Sequence, residues 1–495
     1  MKTGRDSIKM VALRFLIALP LLYSLMACSQ QPAPNKLTRQ QEAEGWKLLW
    51  DGKTTNGWRS AYGEDFPEKG WSISKGVLEV NANGGQESLD GGDIVTVDQY
   101  ENFWLSVDFK LTPGANSGIK YFVRPDLYPV KDASAIGCEF QILDDELHPD
   151  AKLGKAGNRT LGSLYDLITA DKSEAPFDKE GWNTAWVKVQ GNHVEHWLNG
   201  VKIVEYERNC PVFNALVACS KYKDWENFGN HSKGHILLQE HGDHVSYRNI
   251  MIKELPAPEE PASKVEGLPG KEPGETLPNR LLYADSENGW DLLWDGKTAD
   301  GWRSVRAETF PDNGWGLTGG MITAHPNGVR TGGGDIITVE KYRNFWLSVD
   351  FKLTPGANSG IKYFINPGTF GDPSIGCEFQ VLDDDLHPDA KLGVNGNRTV
   401  ASLYDLIPAD KPEGLMDKYG WNTAWIIVQG NHVEHWLNKV KVLEYDRNTQ
   451  EFDALVQYSK FAPNKGFGNF AEGHILFQDH GGQAFYRNIK IKRLD

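Results

Sequence analysis

Three short apolar segments of the sequence carry polar side chains that can move protons or hold hydroxyl groups. Successive residues of a strand point to opposite faces, so Glu139 and Gln141 share one face and Gln239 and His241 share another. Lys120 lies opposite its apolar neighbours in the same way. A histidine, a lysine and a carboxylate together supply a base, a donor and a hydroxyl ligand. We expect these faces to form one cleft; the alternative is the solvated face that most antiparallel sheets have.

Two loops add further candidates. In the acidic loop 144–149, Asp144 and His148 could bind substrate or a divalent cation of the calcium or magnesium type. The alternative for that loop is a turn in which aspartates cap backbone N–H groups. In the loop that leads to Tyr165, Arg159 could form a fork onto a sugar hydroxyl or carbonyl, or a surface ion pair. The sequence requires no cofactor, and the identity of any metal stays open.

The segment His193–Leu198 carries another histidine. His196 shares its face with Val194 and Leu198. A histidine on an apolar face is either a desolvated base or a core residue whose ring nitrogens are both hydrogen-bonded. Both interpretations remain open for His196.

Direct glycoside hydrolysis by two carboxylates finds little support in this pattern. That route needs an acid and a second carboxylate flanking one bond. The neighbour of Glu139 on its face is Gln141, and Asp144 has the opposite parity if the strand continues. An ordinary glycosidase would therefore need a carboxylate from another strand.

The elements that would position these residues occur twice. Asn102–Phe122 is repeated without a change at Asn344–Phe364, and further motifs recur in the same order at an offset of about 240 residues. Such a long period indicates duplicated domains. Each candidate has a counterpart in the second copy: Lys362, Glu378, Gln380, Asp383, His387, Arg398, Tyr404, His435, Gln478 and His480.

The pattern predicts an all-β fold in both copies, which we place at residues 42–255 and 284–495. Short runs rich in aromatic and β-branched residues alternate with Gly, Pro and Asn, and no long segment has a helical period. This predicts two tandem β-sandwiches of jelly-roll type. The segment 256–283 is rich in Pro, Glu and Gly and is predicted to be a semi-extended linker.

The N-terminus indicates export. Residues 1–27 combine four basic residues with a short apolar run, as in a signal peptide. The run ends in Leu25-Met26-Ala27-Cys28, which predicts a lipobox with Cys28 lipidated and 28–41 as a tether; an ordinary signal peptide is the alternative. No acidic run follows Cys28, which favours the periplasmic face over the cell surface. The net charge of −15 disfavours nucleic acid as a partner.

Two cysteines distinguish the copies. Cys210 and Cys219 align with Thr449 and Tyr458, so both are replaced together in the second copy. Joint replacement, in an oxidising compartment, suggests a disulfide between them; two free thiols are the alternative. Cys138 and Cys377 lie on apolar strand faces, which predicts buried thiols.

Long motifs, among them GANSGIKYF, EFQILDDELHPDAK, GWNTA, GNHVEHWLNG and GHILLQEHGDHVSYRNI, resemble the 3-keto-disaccharide hydrolase family over nearly all of both copies. That family is also described as 3-keto-glucoside 1,2-lyases and 3-keto-2-hydroxyglucal hydratases. The resemblance implies a concanavalin-like jelly roll. It also implies a glycoside whose glucose C3 has been oxidised to a ketone by a separate glucoside 3-dehydrogenase.

A ketone at C3 acidifies the hydrogen on C2, so a base can remove it while the substituent on C1 leaves; water can then add to the enone. Under this resemblance we expect His241 or His196 as base, Lys120 or Arg159 on the enolate, and Tyr165 as the acid for the leaving oxygen. Glu139, Gln141 and Gln239 would hold hydroxyls. Two other classes stay open: a lectin-like module without turnover, and an ordinary glycosidase.

Overall fold

The computed structural model describes residues 34–84, 91–128, 135–258, 278–325 and 334–494. The predicted signal peptide, the lipidation site Cys28, the first part of the tether and most of the linker lie outside these ranges. Within them, no helix combines the length and apolar character needed to cross a bilayer.

Most of the regular secondary structure in the described part of the first domain is β-strand. Its elements are α1 (Arg39–Ala43), β1 (Trp46–Leu48), β2 (Trp58–Ser60), β3 (Trp71–Ser74), β4 (Val77–Val80), β5 (Ile94–Thr96), β6 (Phe103–Leu111), β7 (Asn116–Val123), β8 (Cys138–Leu143), a 3₁₀ turn (Pro149–Lys152), β9 (Asn183–Gln190), β10 (His193–Leu198), β11 (Val201–Glu207), α2 (Pro211–Ala218), β12 (His235–Leu238) and β13 (Val245–Glu254).

The second domain repeats this order. Its elements are α3 (Tyr283–Glu287), β14 (Trp290–Leu292), β15 (Trp302–Ser304), β16 (Trp315–Thr318), β17 (Met321–Ala324), β18 (Ile336–Thr338), β19 (Phe345–Leu353), β20 (Asn358–Ile365), β21 (Cys377–Leu382), a 3₁₀ turn (Pro388–Lys391), β22 (Asn422–Gln429), β23 (His432–Leu437), β24 (Val440–Asp446), α4 (Gln450–Gln457), β25 (His474–Phe477) and β26 (Ala484–Arg493).

Two antiparallel sheets form each domain, which confirms the all-β sandwich. In the first domain the larger sheet has eight strands in the order β11-β10-β9-β6-β13-β4-β3, with β1 beside β13. The smaller sheet has five strands in the order β2-β5-β12-β7-β8. The second domain has the same two sheets, β24-β23-β22-β19-β26-β17-β16 with β14, and β15-β18-β25-β20-β21.

The core lies between the two sheets because strand alternation turns one face of each inward. On β6, Phe103, Leu105 and Phe109 are fully buried, and they share a cluster with Ile119 and Tyr121 of β7. On the strands of the smaller sheet, the residues that alternate with these core residues point to the outer face. That outer face carries the pocket described below.

Each domain also contains an eight-residue helix that the β pattern missed, and the helices correct the predicted disulfide. Cys210 is the N-cap of α2 and Cys219 its C-cap. Nine residues of helical rise separate them by about 13 Å, whereas disulfide-linked Cα atoms lie within about 7 Å. Both cysteines are accordingly free thiols.

The two helices also join the domains. Helix α2 packs against α4. From the start of α4, the side-chain amide of Gln450 donates to the carbonyl oxygen of Leu167 and accepts from the Thr169 hydroxyl at 3.2 Å.

The folded domains extend further towards the tether and the linker than the predicted boundaries. The backbone N–H of Asn35 donates to Oδ1 of Asn249 at 2.6 Å, and the N–H of Asn249 donates back to Oδ1 of Asn35 at 2.8 Å. Asn279 and Asn488 form the same pair in the second domain, at 2.6 and 2.9 Å. The ends of segments 28–41 and 256–283 therefore belong to the domains that follow them.

Candidate active site

A pocket lies on the outer face of the smaller sheet in each domain. Its volume is about 320 Å³ in the first domain and about 280 Å³ in the second. The first is lined by Asn116, Lys120, Ala135, Ile136, Gly137, Glu139, Gln141, Tyr165, Lys221, Tyr222, Trp225, Gln239 and His241. The second is lined by Asn358, Lys362, Asp372, Ser374, Ile375, Gly376, Glu378, Gln380, Tyr404, Lys460, Phe461, Gln478 and His480.

The structure thus brings together six of the predicted residues in each pocket. Strand parity is the reason: β7 and β8 are paired in a register that sets Lys120 opposite Glu139. The two side chains are 4% exposed, on a face whose opposite side is core. A Cβ at Gly118 would collide with the carboxylate of Glu139, so glycine leaves the space that this side chain fills.

Buried charges meet at the floor of both pockets. Nζ of Lys120 donates to the carbonyl oxygen of Ala135 at 3.1 Å and lies 4.0 Å from Oδ2 of the buried Asp93. In the second pocket, Nζ of Lys362 lies 3.4 Å from Oε2 of Glu378. Burial raises the pKa of Glu378, although the nearby lysines oppose the shift.

His241 stands at the side of the first pocket next to a second histidine. The rings of His148 and His241 are nearly perpendicular, with centroids 6.1 Å apart. Nδ1 of His148 accepts the backbone N–H of Asp150 at 3.2 Å, so the ring is fixed by the 3₁₀ turn. His148 does not line the pocket itself, and its ring packs against His241, which does. His387 and His480 repeat the pair at 6.4 Å.

His196 is a core residue, and this corrects its assignment as a candidate base. Its Nδ1 donates to the carbonyl oxygen of Gly162 at 2.9 Å, and its Nε2 accepts from the hydroxyl of Tyr121 at 2.7 Å. Both ring nitrogens are therefore occupied between the sheets, and burial lowers the pKa of His196 to about 4. His435 makes the same contacts with Ala401 and Tyr363.

The acidic loop is a structured turn, and its carboxylates already have partners. Asp144 accepts the backbone N–H groups of Gly114, Glu146 and Leu147 at 2.8 to 3.2 Å. Asp145 accepts from the N–H of Leu161 and pairs with Lys172. Asp144 does not line the pocket, and Asp383 makes the equivalent contacts in the second domain.

Arg159 forms ion pairs with two aspartates behind the pocket-lining Tyr165. Its Nη1 donates to Asp150 at 2.9 Å and its Nε donates to Asp166 at 2.7 Å. Asp150 accepts the hydroxyl proton of Tyr165 at 2.7 Å, so this tyrosine is engaged away from a leaving group. Arg159 thus does not line the pocket itself, and its guanidinium carbon lies 5.3 Å from the ring centroid of Tyr165. Arg398, Asp389, Asp405 and Tyr404 form the same network.

Lys221 is a site residue that the sequence analysis missed. It follows α2, and its backbone N–H donates to Asp166 at 2.9 Å. Although the residue as a whole is exposed, its ammonium lies 4.1 Å from the ring centroid of Tyr165. Desolvation lowers the pKa of Lys221, while the nearby Glu139 opposes the shift. The available signal was the Ser-Lys-aromatic triplet, which recurs at Ser459-Lys460-Phe461.

A different cluster could hold a metal ion, and it lies on the larger sheet, away from the pocket. In the first domain it consists of His193, Glu195 and Glu205, and in the second of His432, Glu434 and Glu444. Nε2 of His193 is 3.3 Å from Glu195 and 3.2 Å from Glu205. Within the described ranges, these are the two groups that meet this spacing.

The pocket combines a histidine, two ammonium groups, a buried carboxylate and three amides, carried by the smaller sheet and the loop after α2. Such a set can remove a proton, stabilise a developing oxyanion and hold several hydroxyl groups. The fold and the pocket thus define a β-sandwich with a polar site for a small hydroxylated molecule. Comparison with known proteins gives the family.

The family described as the 3-keto-alpha-glucoside-1,2-lyase-like domain matches residues 45–253 and again residues 289–492. The chain belongs to this family and carries two copies of its domain. A 3-keto-disaccharide hydrolase of Bacteroides thetaiotaomicron is 38% identical over 232 residues, covering 42% of this chain and 79% of the relative. These matches support a glycoside-cleaving enzyme.

Solved structures with similarity include two crystal structures from Parabacteroides distasonis, both provisionally described as glycosyl hydrolases. The first is 27% identical and covers 44% of this chain and 100% of its own, with a TM-score of 0.40. The second is 26% identical and covers 42% and 99%, with a TM-score of 0.32.

Proposed function

We propose that each domain cleaves 3-keto-glycosides by eliminating the substituent on C1 and then hydrating the enone. The observation that carries the proposal is the donor set around Glu139. Among the described residues that line the first pocket, Glu139 is the only carboxylate, and Lys120, Lys221 and His241 share that pocket with it. This set suits enolate chemistry better than the two-carboxylate route.

In the first step His241 takes the proton from C2, and the electron pair moves towards the C3 ketone. The ammonium of Lys120 stabilises the resulting enolate oxygen. The enolate then expels the substituent on C1, whose oxygen receives a proton from Lys221. We assign that proton to Lys221 because the hydroxyl of Tyr165 already donates to Asp150. Glu139, Gln141 and Gln239 hold the sugar hydroxyls.

In the second step water adds to C1 of the enone and gives up a proton to the neutral amine of Lys221, while C2 regains a proton from the protonated His241. The net result is hydrolysis to 3-ketoglucose and the free leaving group. The second pocket has Lys362, Glu378, Gln380, Lys460, Gln478 and His480 for the same roles. The two ammonium groups supply the positive charge that a divalent cation would otherwise bring to the enolate.

The proposal includes a location and a source of substrate. With a lipid on Cys28, the enzyme would be anchored in the cell envelope, on the periplasmic face. The ketone at C3 must be made first, by a separate glucoside 3-dehydrogenase that removes two hydrogens from the parent glycoside. The acidic chain has no proposed role with nucleic acid.

The test offers the full chain 3-keto-glucosides and the parent glucosides, and follows enone absorbance and release of the leaving group. We expect release from the keto sugars alone. Release from the parent glucosides would make the protein an ordinary glycosidase. Saturable binding of keto sugars without any release would make it a lectin.

The same assay tests the base. We expect His241→Ala and His480→Ala each to remove the activity of one pocket, and the double variant to lose at least about a hundredfold. His193→Ala, on the larger sheet, is the matched control and should keep the full rate. A double variant with the full rate would show that another group is the base.

A further inference from the structure

The two pockets differ at the mouth more than at the floor. Lys120, Glu139, Gln141 and Gln239 at the floor and His241 at the side all recur as the same residue types in the second pocket. At the mouth of the first pocket stands Trp225, which is partly buried. The aligned residue is Asn464, which does not line the second pocket, whereas the exposed Asp372 does.

Trp225 is held in place by a small network that the second domain lacks. The ring of Tyr128 meets Trp225 edge to face, with centroids 5.3 Å apart. The hydroxyl of Tyr128 donates to the carbonyl oxygen of Glu226 at 2.8 Å and lies 2.6 Å from Nε2 of His231. In the second domain, Phe370 and Phe470 replace Tyr128 and His231, and their rings pack on each other at 5.7 Å.

The groups at the two ends of this network, the Asn227 amide and the Glu226 carbonyl, determine which atoms between them donate and which accept. The amide nitrogen of Asn227 can only donate, so Nδ1 of His231 accepts from it at 3.3 Å. Nε2 of His231 then carries the hydrogen and donates to the hydroxyl of Tyr128, which in turn donates to the backbone carbonyl oxygen of Glu226. Burial lowers the pKa of His231, which is consistent with a neutral ring. The network therefore fixes Trp225 as a rigid platform.

The position of Trp225 relates it to the leaving group. The proposed base, the lysines and Glu139 hold the reacting sugar at the floor, so the substituent on C1 must extend towards the mouth. The C–H face of a pyranose, or an aromatic ring, packs well against an indole, whereas a carboxylate offers no such surface.

We propose that Trp225 selects the leaving group, so that the two pockets take different substrates. The first pocket accepts 3-keto-glycosides with a ring on C1, either a second sugar or an aromatic group. The second accepts 3-keto sugars with a small polar substituent there. This inference rests on the proposed 3-keto-glycoside cleavage.

The test measures the ratio of kcat/KM for an aryl 3-keto-glucoside to that for methyl 3-keto-glucoside. It uses full-length chains with one pocket inactivated, His480→Ala for the first pocket and His241→Ala for the second. Trp225→Asn should lower the ratio in the first pocket by about tenfold, near the upper end for one aromatic contact. Trp225→Phe should retain most of it. Asn464→Trp should raise the ratio in the second pocket.

A ratio that Trp225→Asn leaves unchanged would overturn the inference, and so would an equal loss on both substrates, because that indicates a purely structural role. The second domain folds with asparagine at this position, which makes Trp225→Asn a mild change for the fold. Failure of the proposed function would look different. In that case the wild-type chain would cleave neither keto-glucoside.

Discussion

Lys362 on β20 and Glu378 on β21 are cross-strand partners, and their Nζ and Oε2 atoms lie 3.4 Å apart at the floor of the second pocket. Both side chains are at most 7% exposed. A buried pair of this kind costs desolvation energy that its mutual attraction only partly repays. Its position on a pocket floor, with Lys120 and Glu139 at the same cross-strand positions of the first domain, points to a functional reason for keeping it.

Lys221 should be needed for turnover in the first pocket. In the His480→Ala background, we expect Lys221→Met to lower kcat/KM by roughly a hundredfold, the size of effect seen when one charged donor to a transition state is lost. Lys223→Met, two residues further along the same loop, is the matched control and should change little. A Lys221→Met chain with the normal rate would contradict the assigned role.

The pH profile gives an independent readout of the same lysine. Desolvation lowers the pKa of Lys221 below its ordinary value of 10.5. Because the ammonium form is the active one, the rate should fall as pH rises through that lowered pKa. The alkaline limb should disappear in Lys221→Met and persist in Lys223→Met. A limb that remains in both variants belongs to another group.

Arg159 should act by positioning. Arg159→Met removes both ion pairs that hold Asp150 and Asp166, and so loosens Tyr165 and Lys221 together. In the His480→Ala background, where only the first pocket is active, we expect kcat/KM to fall about tenfold. Arg159→Lys should recover only part of it, because one ammonium cannot span both carboxylates.

The control for Arg159 is Arg248→Met, which removes an arginine paired with Asp108 on the larger sheet. A matching loss of activity in this control would show that lost ion pairs act through general stability. Equal activity of Arg159→Lys and wild type would show that charge alone is sufficient.

His196 should contribute to stability and not to turnover. His196→Gln disrupts two buried hydrogen bonds, and we expect it to lower the free energy of unfolding of the first domain by about 2–4 kcal/mol at pH 7. The activity per folded molecule should stay the same. His435→Gln should do the same to the second domain, which makes the two variants controls for each other.

The stability effect of His196 should depend on pH. Its pKa is about 4 in the folded state and near 6.5 when unfolded, so between these values the unfolded chain binds a proton that the folded one does not. Stability is therefore lost as pH falls from 6.5 to 4, by roughly 3 kcal/mol for this histidine. The gap between wild type and His196→Gln should narrow over that range in urea unfolding. A constant gap would refute the assignment.

The four cysteines of the two domains should all be free thiols. Four thiols are expected to react with a maleimide after unfolding without reductant: Cys138, Cys210, Cys219 and Cys377. In the folded protein Cys138 and Cys377 should be protected, since both are fully buried. If only two thiols react after unfolding, Cys210 and Cys219 form a disulfide after all.

Strand residues of the site were predictable from the sequence, and loop residues were not. Parity placed Glu139 and Gln141 on one face of their strand and Gln239 on the polar face of another segment, because a strand fixes the direction of every side chain; the sheet then joins these faces in one pocket. Parity also placed His196 on an apolar face but could not show that Tyr121 satisfies its ring there. Lys221 and Trp225 follow a helix, where spacing along the chain says nothing about which strand lies beneath. Long-range contacts of that kind arise only in the folded chain.

If Cys28 carries a lipid, the hydrogen-bonded pair of Asn35 and Asn249 limits how far the first domain can lie from the membrane. Seven peptide units from Cys28 to Asn35 reach at most about 25 Å even when fully extended. The start of the first domain at Asn35 would thus lie within about 25 Å of the lipid-bearing Cys28, and so close to the bilayer surface. Catalysis would be confined to a thin layer along the membrane, and a soluble substrate would have to diffuse into that layer to be cleaved.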